Sequence, residues 1–284
     1  MVVVDAIVHG AVSLVNAIAT GKGATLGIDT FVKTRLKTKD GSGISITADN
    51  KKISSRLINK VIKNIVTKKE LEKTKLELDF KSDIPTGYGL KSSSAISTAV
   101  AMVCSKAFKR NLSDGKILKV GAKSSIQAKV SITGAYDDAC GCYYGGFNVV
   151  DNYKQDLIFR HPAPNNLQAI IFLPKSRKRG NLKKLKDFKP AFEKAWELAK
   201  NSDYWNAAIL NGIATSSILN SNPELILNLV KRRAITATIS GNGPSIVAIT
   251  KKGHNSHIKK AFSSLEGSVM ISNINNKKAE VYEV

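Results

Sequence analysis

The sequence contains few cysteines and no long hydrophobic segment. The cysteines are Cys104, Cys140 and Cys142. An odd number without a C-x-x-C spacing argues against a disulfide framework and against a zinc site. No apolar run approaches the ~18 residues needed to cross a membrane. Residues 1–5 also lack the basic segment that opens a secretory signal. We therefore expect a cytoplasmic protein without a membrane partner.

Acidic residues are scarce relative to basic ones. Asp and Glu number 22 against 44 Lys and Arg, so the formal net charge is +22. Such a charge suits either a nucleic acid or a small polyanionic substrate. The densest basic cluster comprises Lys175, Arg177, Lys178, Arg179, Lys183, Lys184 and Lys186. It has no interleaved aromatic residue that could stack on a base, so nucleic-acid binding is the less favoured alternative.

The chain has 284 residues. Its hydrophobic periodicity predicts a mixture of helices and strands. Predicted strands cover residues 2–8, 27–37, 75–80, 167–173, 234–240, 246–250 and 278–284. Predicted helices cover residues 53–66, 95–108, 113–129, 188–199, 205–219, 223–231 and 257–265. The residue composition of the sequence changes after residue 146, which indicates a domain boundary near residue 150.

The sequence also lacks the G-x-x-x-x-G-K-[ST] motif of P-loop kinases. A glycine- and serine-rich turn at residues 85–95 instead lies between a predicted strand and a predicted buried helix. Gly87 and Gly89 allow backbone amides to turn toward an anion. The unpaired amides and the positive end of the helix dipole would point to the same place. A triphosphate is the anion that this arrangement predicts.

The predicted ATP-binding residues are Pro85, Thr86, Gly87, Tyr88, Gly89, Leu90, Lys91, Ser92, Ser93, Ser94 and Ala95. Lys91 adds a full positive charge, and the serines supply hydroxyl groups at the start of the helix. A plain helix cap after a flexible turn would explain one glycine and one serine. It would not explain two glycines, three serines and a lysine together.

Two adjacent acids, Asp137 and Asp138, lie in a segment of small residues at 133–146. Burying carboxylates there would be costly unless they had a function. Phosphoryl transfer needs a carboxylate to orient the attacking hydroxyl or to hold Mg²⁺. Adjacent residues on an extended segment point in opposite directions, so we expect only one acid to face the site. An acidic surface turn is the alternative.

A third segment, residues 240–245, places two glycines and a proline between two predicted strands. Such a loop can pack closely against a ligand or against another loop. Taken alone, the segment is equally typical of a simple hairpin.

These three segments, in this order and without a P-loop, resemble the GHMP kinase superfamily of galactokinases, homoserine kinases and mevalonate kinases. The superfamily motif Pro-x3-Gly-Leu-(Gly)-Ser-Ser-Ala is matched by residues 85–95, with Lys91 where glycine is usual. Within the superfamily, the sequence resembles the archaeal shikimate kinases. That likeness is carried also by residues 13–23, 133–139 and 240–245.

The resemblance implies an α+β fold of two domains. Residues 1–150 would form a ribosomal-protein-type domain that binds ATP, and residues 151–284 a ferredoxin-like domain. ATP would lie along the turn at 87–94, with Mg²⁺ bridging its phosphates and Ser93 as a candidate metal ligand. A supporting loop of Gly241, Asn242 and Gly243 would brace that turn.

The implied reaction is transfer of the γ-phosphoryl group of ATP to the 3-hydroxyl of shikimate, giving shikimate 3-phosphate and ADP. Lys91 would stabilise the transferring charge, and either Asp137 or Asp138 would orient the hydroxyl. The spacing to the following Gly145-Gly146 favours Asp138, whereas the spacing from Gly134 favours Asp137.

Shikimate carries a carboxylate, which a cation should meet. The candidate substrate-binding residues are Asn16, Lys22, Arg177 and Arg179. Substrate pockets are built from scattered residues, so another alcohol such as homoserine or mevalonate remains an alternative acceptor. A nucleic-acid-binding protein that reuses this fold is the alternative from a different class.

Overall fold

Two β-sheets organise the fold, which a computed structural model describes for residues 1–49, 53–177, 180–219 and 221–284. The strands of the first sheet are β1 (Val2–Val15), β2 (Lys22–Asp40), β3 (Ile44–Ala48), β4 (Thr74–Ser82), β5 (Phe147–Asp151), β6 (Asp156–His161) and β11 (Glu280–Glu283). The strands of the second sheet are β7 (Leu167–Pro174), β8 (Thr236–Ile239), β9 (Ile246–Lys251) and β10 (Gly267–Asn273).

Helices pack on both sheets. They are α1 (Ser55–Lys63), α2 (Lys68–Leu71), α3 (Ser92–Ala107), α4 (Asp114–Gln127), α5 (Tyr136–Tyr144), α6 (Lys189–Lys200), α7 (Tyr204–Ile218), α8 (Pro223–Lys231) and α9 (Ser256–Lys260). A 3₁₀ segment, Leu182–Phe188, precedes α6. Among the described residues, none of these helices combines the length and the apolarity that a membrane crossing requires.

The first sheet is built around the long strand β2. The order is β11-β1-β2-β4-β3, and β5 pairs with the start of β2 and with β6. Residues 22–26 of β2 pair with β5, and residues 32–40 pair with β4. Strands β3 and β4 are parallel, and α1 and α2 lie between them in the chain. One strand therefore connects both halves of this sheet.

Helix α3 is the buried centre of the first half. Its small residues, mostly serine and alanine, let it pack with most of its surface covered. Helix α5 also lies close to the sheet, because a Cβ atom at Gly141 would come within 2.5 Å of the Thr25 hydroxyl. Only glycine fits this approach, which brings α5 against β2.

The second sheet has the order β10-β7-β9-β8, and all its pairs are antiparallel. Helices α6, α7 and α8 connect β7 to β8, and α9 connects β9 to β10. This is the ferredoxin-like order of strands. The predicted α+β class is confirmed.

Membership of the two sheets differs from the predicted division of the chain. Strand β6 pairs with β5 in the first sheet, so the second sheet begins only with β7. Strand β11 returns to the first sheet and pairs with β1. The sequence pattern marks strands but does not reveal their partners, and a boundary at residue 150 stays a prediction. The predicted helix at 257–265 is shorter in the structure, where α9 ends at Lys260.

Candidate active site

A cavity of about 550 Å³ brings the three small-residue segments together. Of the predicted site residues, its lining includes Asn16, Pro85, Thr86, Gly87, Gly89, Leu90, Lys91, Ser92, Ser93, Ser94, Asp137, Asp138, Gly241 and Asn242. The lining residues lie up to 229 positions apart in the sequence (13 to 242). Their convergence on one cavity is what a shared site requires.

Several predicted residues lie outside this lining: Lys22, Tyr88, Ala95, Arg177 and Gly243. The ammonium of Lys22 lies 5.0 Å from the centre of the Trp196 ring. The guanidinium of Arg177 lies 4.8 Å from the centre of the Tyr88 ring. Each of these two cations thus contacts an aromatic ring outside the lining, and Arg179 lies outside the described residues. The sequence reasoning missed Lys129, a cation that does line the cavity.

The start of α3 opens into the cavity. Lys91 precedes the helix in the left-handed conformation, with φ 67°, and no side chain caps this end. The first amides of a helix have no partner within the helix. Ser93 is exposed, and its two serine neighbours are buried. The first turn of α3 therefore offers amides and one accessible hydroxyl to an anion.

The two acids lie on a helix, so the expectation of an extended segment is wrong. Helix α5 begins at Tyr136 after Ala135, which has φ 54° and makes no side-chain cap hydrogen bond of its own. Successive helical residues are about 100° apart around the axis. Asp137 and Asp138 consequently both line the cavity, where their negative charge is favourable at a helix start.

Lys91 and Asp138 form an ion pair at the cavity wall. The Lys91 ammonium lies 2.9 Å from the Asp138 carboxylate and donates a hydrogen bond of 2.6 Å to the Ser13 hydroxyl. The Lys91 side chain is only 5% exposed, whereas that of Asp138 is 21% exposed. A fixed positive charge and an accessible carboxylate thus lie side by side.

Asp137 is held more deeply than its neighbour. Its carboxylate accepts a hydrogen bond of 2.8 Å from the Asn152 side chain, and its backbone N–H donates one of 2.8 Å to the Asn152 amide oxygen. Burial raises the pKa of the Asp137 carboxyl well above its usual value, and the charge of Asp138 raises it further. Asn152 was not predicted, because nothing in its local sequence distinguishes it.

The loop between β8 and β9 braces the glycine- and serine-rich turn at residues 85–95. The hydroxyl of Ser240 donates to the Gly89 carbonyl at 2.8 Å, and that of Ser245 donates to the Tyr88 carbonyl at 2.6 Å. The Asn16 side chain donates to the Gly241 carbonyl at 2.8 Å. Hydroxyl groups at both ends of the predicted segment 240–245 therefore fix the turn.

Replacing Gly89 with alanine is expected to lower the free energy of unfolding by about 2–4 kcal/mol. The residue has φ 80°, and a Cβ atom there would lie 2.0 Å from the Ser240 carbonyl oxygen. Urea unfolding measures the loss. Gly43→Ala is the matched control, because Gly43 also has a positive φ but a Cβ atom would meet nothing within 4 Å. Equal losses in the two variants would refute close packing of loop and turn.

Comparisons with known proteins agree with this geometry. Residues 56–146 match the N-terminal domain of the GHMP kinases. The shikimate kinase of Methanothermobacter thermautotrophicus is 31% identical over 96% of this chain and 96% of its own length. That of Pyrococcus furiosus is 34% identical over 84% of this chain and 89% of its own. A solved homoserine kinase from Cytophaga hutchinsonii superposes with a TM-score of 0.75 at 20% identity, covering 99% of this chain and 97% of that one.

The matched N-terminal domain and the curated relatives together make this chain a phosphotransferase of the GHMP kinase class. This chain is more than 30% identical to a curated shikimate kinase along nearly the whole length of both, which identifies the family within that class. The chain belongs to the family of archaeal shikimate kinases, as the resemblance in its sequence segments predicted.

Proposed function

We propose that this chain transfers the γ-phosphoryl group of ATP to the 3-hydroxyl of shikimate, in the cytoplasm, giving shikimate 3-phosphate and ADP. The main support is the position of Lys91, which lies at the uncapped start of α3 and contacts Asp138. Phosphoryl transfer requires the phosphates and the acceptor hydroxyl to meet, and they would meet between this helix start and the Asp138 carboxylate. Family membership supports the choice of shikimate as acceptor.

The triphosphate would bind at the first turn of α3. Amides at residues 92–94 and the exposed hydroxyl of Ser93 would contact its oxygens. Lys91 would lie beside the transferring group, held in place by its contacts with Ser13 and Asp138. Because these donors are already oriented, they would stabilise the spreading charge with little rearrangement.

The oxygens in the cavity fit a magnesium ion held largely by phosphates. Mg²⁺ commonly takes one or two carboxylates together with phosphate oxygens. Asp138 and Ser93 both line the cavity and are both accessible. Within the described residues, no group of three or more acids, histidines and cysteines forms a metal site by itself. When bound, the ion would neutralise negative charge on the phosphates.

Asp138 is the better candidate for orienting the acceptor hydroxyl. Its side chain is exposed to the cavity. Asp137 is only 3% exposed, and its carboxylate already accepts a hydrogen bond from Asn152. Asp137 would instead act as a positioning residue at the start of α5. Lys129, which also lines the cavity, is a candidate partner for the shikimate carboxylate.

A shikimate-dependent ADP-release assay tests the proposal. We expect turnover with shikimate, and a kcat/KM at least ~100-fold lower with homoserine or mevalonate, because a pocket that hydrogen-bonds one acceptor leaves polar groups unpaired with another. Phosphorus and carbon NMR of the product would identify the phosphorylated hydroxyl. Turnover with another alcohol alone would refute shikimate as the acceptor. Salt-sensitive oligonucleotide binding without any ADP release would instead favour the nucleic-acid alternative.

A further inference from the structure

A second cavity, of about 530 Å³, lies on the other side of α4 from the protein core. It is bounded by the end of α1, the loop after α3, the exposed face of α4 and the turn between β5 and β6. We call it the α4 pocket and define it by its cations, Arg110, Lys116, Lys119 and Lys123. Among the described residues, the rest of the lining consists of amides and apolar side chains, without an acidic residue.

The three lysines share one face of α4. Their spacing of three and four residues places them in a row along the helix, and all three are exposed. In the described part of the chain, none of them lies within 4.0 Å of a carboxylate. Like charges at this spacing repel one another. A bound anion would relieve that repulsion.

The frame of the pocket is held by hydrogen bonds within the protein. The Arg110 side chain donates to the Ile65 carbonyl at 3.2 Å and also pairs with Glu70. The Asn64 amide donates to Ser124 and to Gln127, each at 2.9 Å. These contacts connect α1, the loop after α3, and α4. A ligand would therefore meet a surface that needs little ordering.

We propose that the α4 pocket binds a small organic phosphate. The lysines would contact the phosphate group as charged donors, and apolar side chains such as Leu112 and Val120 would cover the organic part. The volume is in the range of metabolite sites. The lining contains no aromatic residue on which a nucleic-acid base could stack. Ile126 lines both this pocket and the 550 Å³ cavity of the candidate active site. A phosphate bound in the α4 pocket would therefore lie close to that site.

Phenyl phosphate is a suitable probe, because it combines one phosphate with an apolar ring. It would be titrated calorimetrically into the full chain saturated with a non-hydrolysable ATP analogue, at low and at moderate salt. We expect one binding site per chain, weakened by salt, and no binding of phenol. The triple variant Lys116→Gln/Lys119→Gln/Lys123→Gln should weaken binding at least tenfold.

The control is Lys252→Gln/Lys259→Gln/Lys260→Gln, which removes the same charge from exposed lysines around α9 and should keep the affinity within twofold. Equal weakening in both triple variants would overturn the proposal, since binding would then follow net charge alone. So would displacement of the probe by the ATP analogue, equal affinity for inorganic phosphate, or no saturation up to about 10 mM. Binding of an oligonucleotide at these lysines, without binding of the probe, would also overturn it. None of these outcomes depends on the proposed kinase reaction.

Discussion

Asp138→Asn is expected to lower kcat for shikimate-dependent ADP release by about 10²–10⁴-fold, the range typical of a lost acid–base group. Asparagine keeps the shape of the side chain but cannot accept the proton of the acceptor hydroxyl. The KM for ATP should change less than kcat, because Lys91, the amides of α3 and the hydroxyl of Ser93 remain. Steady-state kinetics and urea unfolding of the same preparations separate a chemical defect from a folding defect.

Asp156→Asn is the control for this variant, since Asp156 is an exposed aspartate on β6 outside the cavity. It should retain the rate of the unaltered chain. An Asp138→Asn enzyme with normal kcat, accompanied by an inactive Asp137→Asn enzyme, would transfer the orienting role to Asp137. Normal rates in both would remove the paired acids from the mechanism.

Lys91→Gln is expected to lower kcat by about 10²–10³-fold, as when one preorganised donor to a transition state is removed. The variant also leaves Asp138 without its partner, so the KM for ATP should rise as carboxylate and triphosphate repel one another. Single-turnover measurements at saturating ATP isolate the chemical step. A rate within threefold of the unaltered chain would contradict the role given to Lys91.

Lys91→Gly separates the charge from the backbone. Position 91 has φ 67°, a conformation that costs about 1–2 kcal/mol for residues with a side chain and little for glycine. The glycine variant should therefore be more stable than the glutamine variant, yet equally slow. If it were as fast as the unaltered chain, the backbone turn and not the ammonium would account for catalysis at this position.

The backbone of the turn at residues 85–95 could be predicted from sequence because its signals are local. Gly87 and Gly89 both have positive φ, of 84° and 80°, as the turn demands. Helix α1 was equally accessible to prediction, since its apolar residues repeat at helical spacing and Ser54 caps it by accepting from the Leu57 amide. Each of these features depends on residues close together in the chain.

Helix α5 was harder to predict for a physical reason. Apart from the two acids, its residues are small or aromatic and form no continuous polar face, because the helix is buried on most sides. It begins from a left-handed alanine and not from a capping side chain, so the usual signal of a helix start is missing. The resulting error concerned the directions in which the two acidic side chains point, and these directions decide whether both can line the cavity.

Contacts between distant segments were beyond prediction. Asn152 meets Asp137 only because β5 pairs with the start of β2, and Ser13 meets Lys91 only because β1 ends beside α3. Strand β11 gives a weak local pattern that says nothing of its pairing with β1. A single sequence specifies such partners through the folded chain as a whole.

The loop between β8 and β9 belongs to the second sheet, yet its two serine hydroxyls hold the turn that opens the central helix of the first. Any ligand on that turn is consequently linked in free energy to the junction of the two halves. The linkage is reciprocal: what tightens the junction favours the ligand, and the ligand tightens the junction by the same amount. A bound nucleotide would thus help to hold the two halves of the chain together, and each turnover would remove and restore that stabilisation.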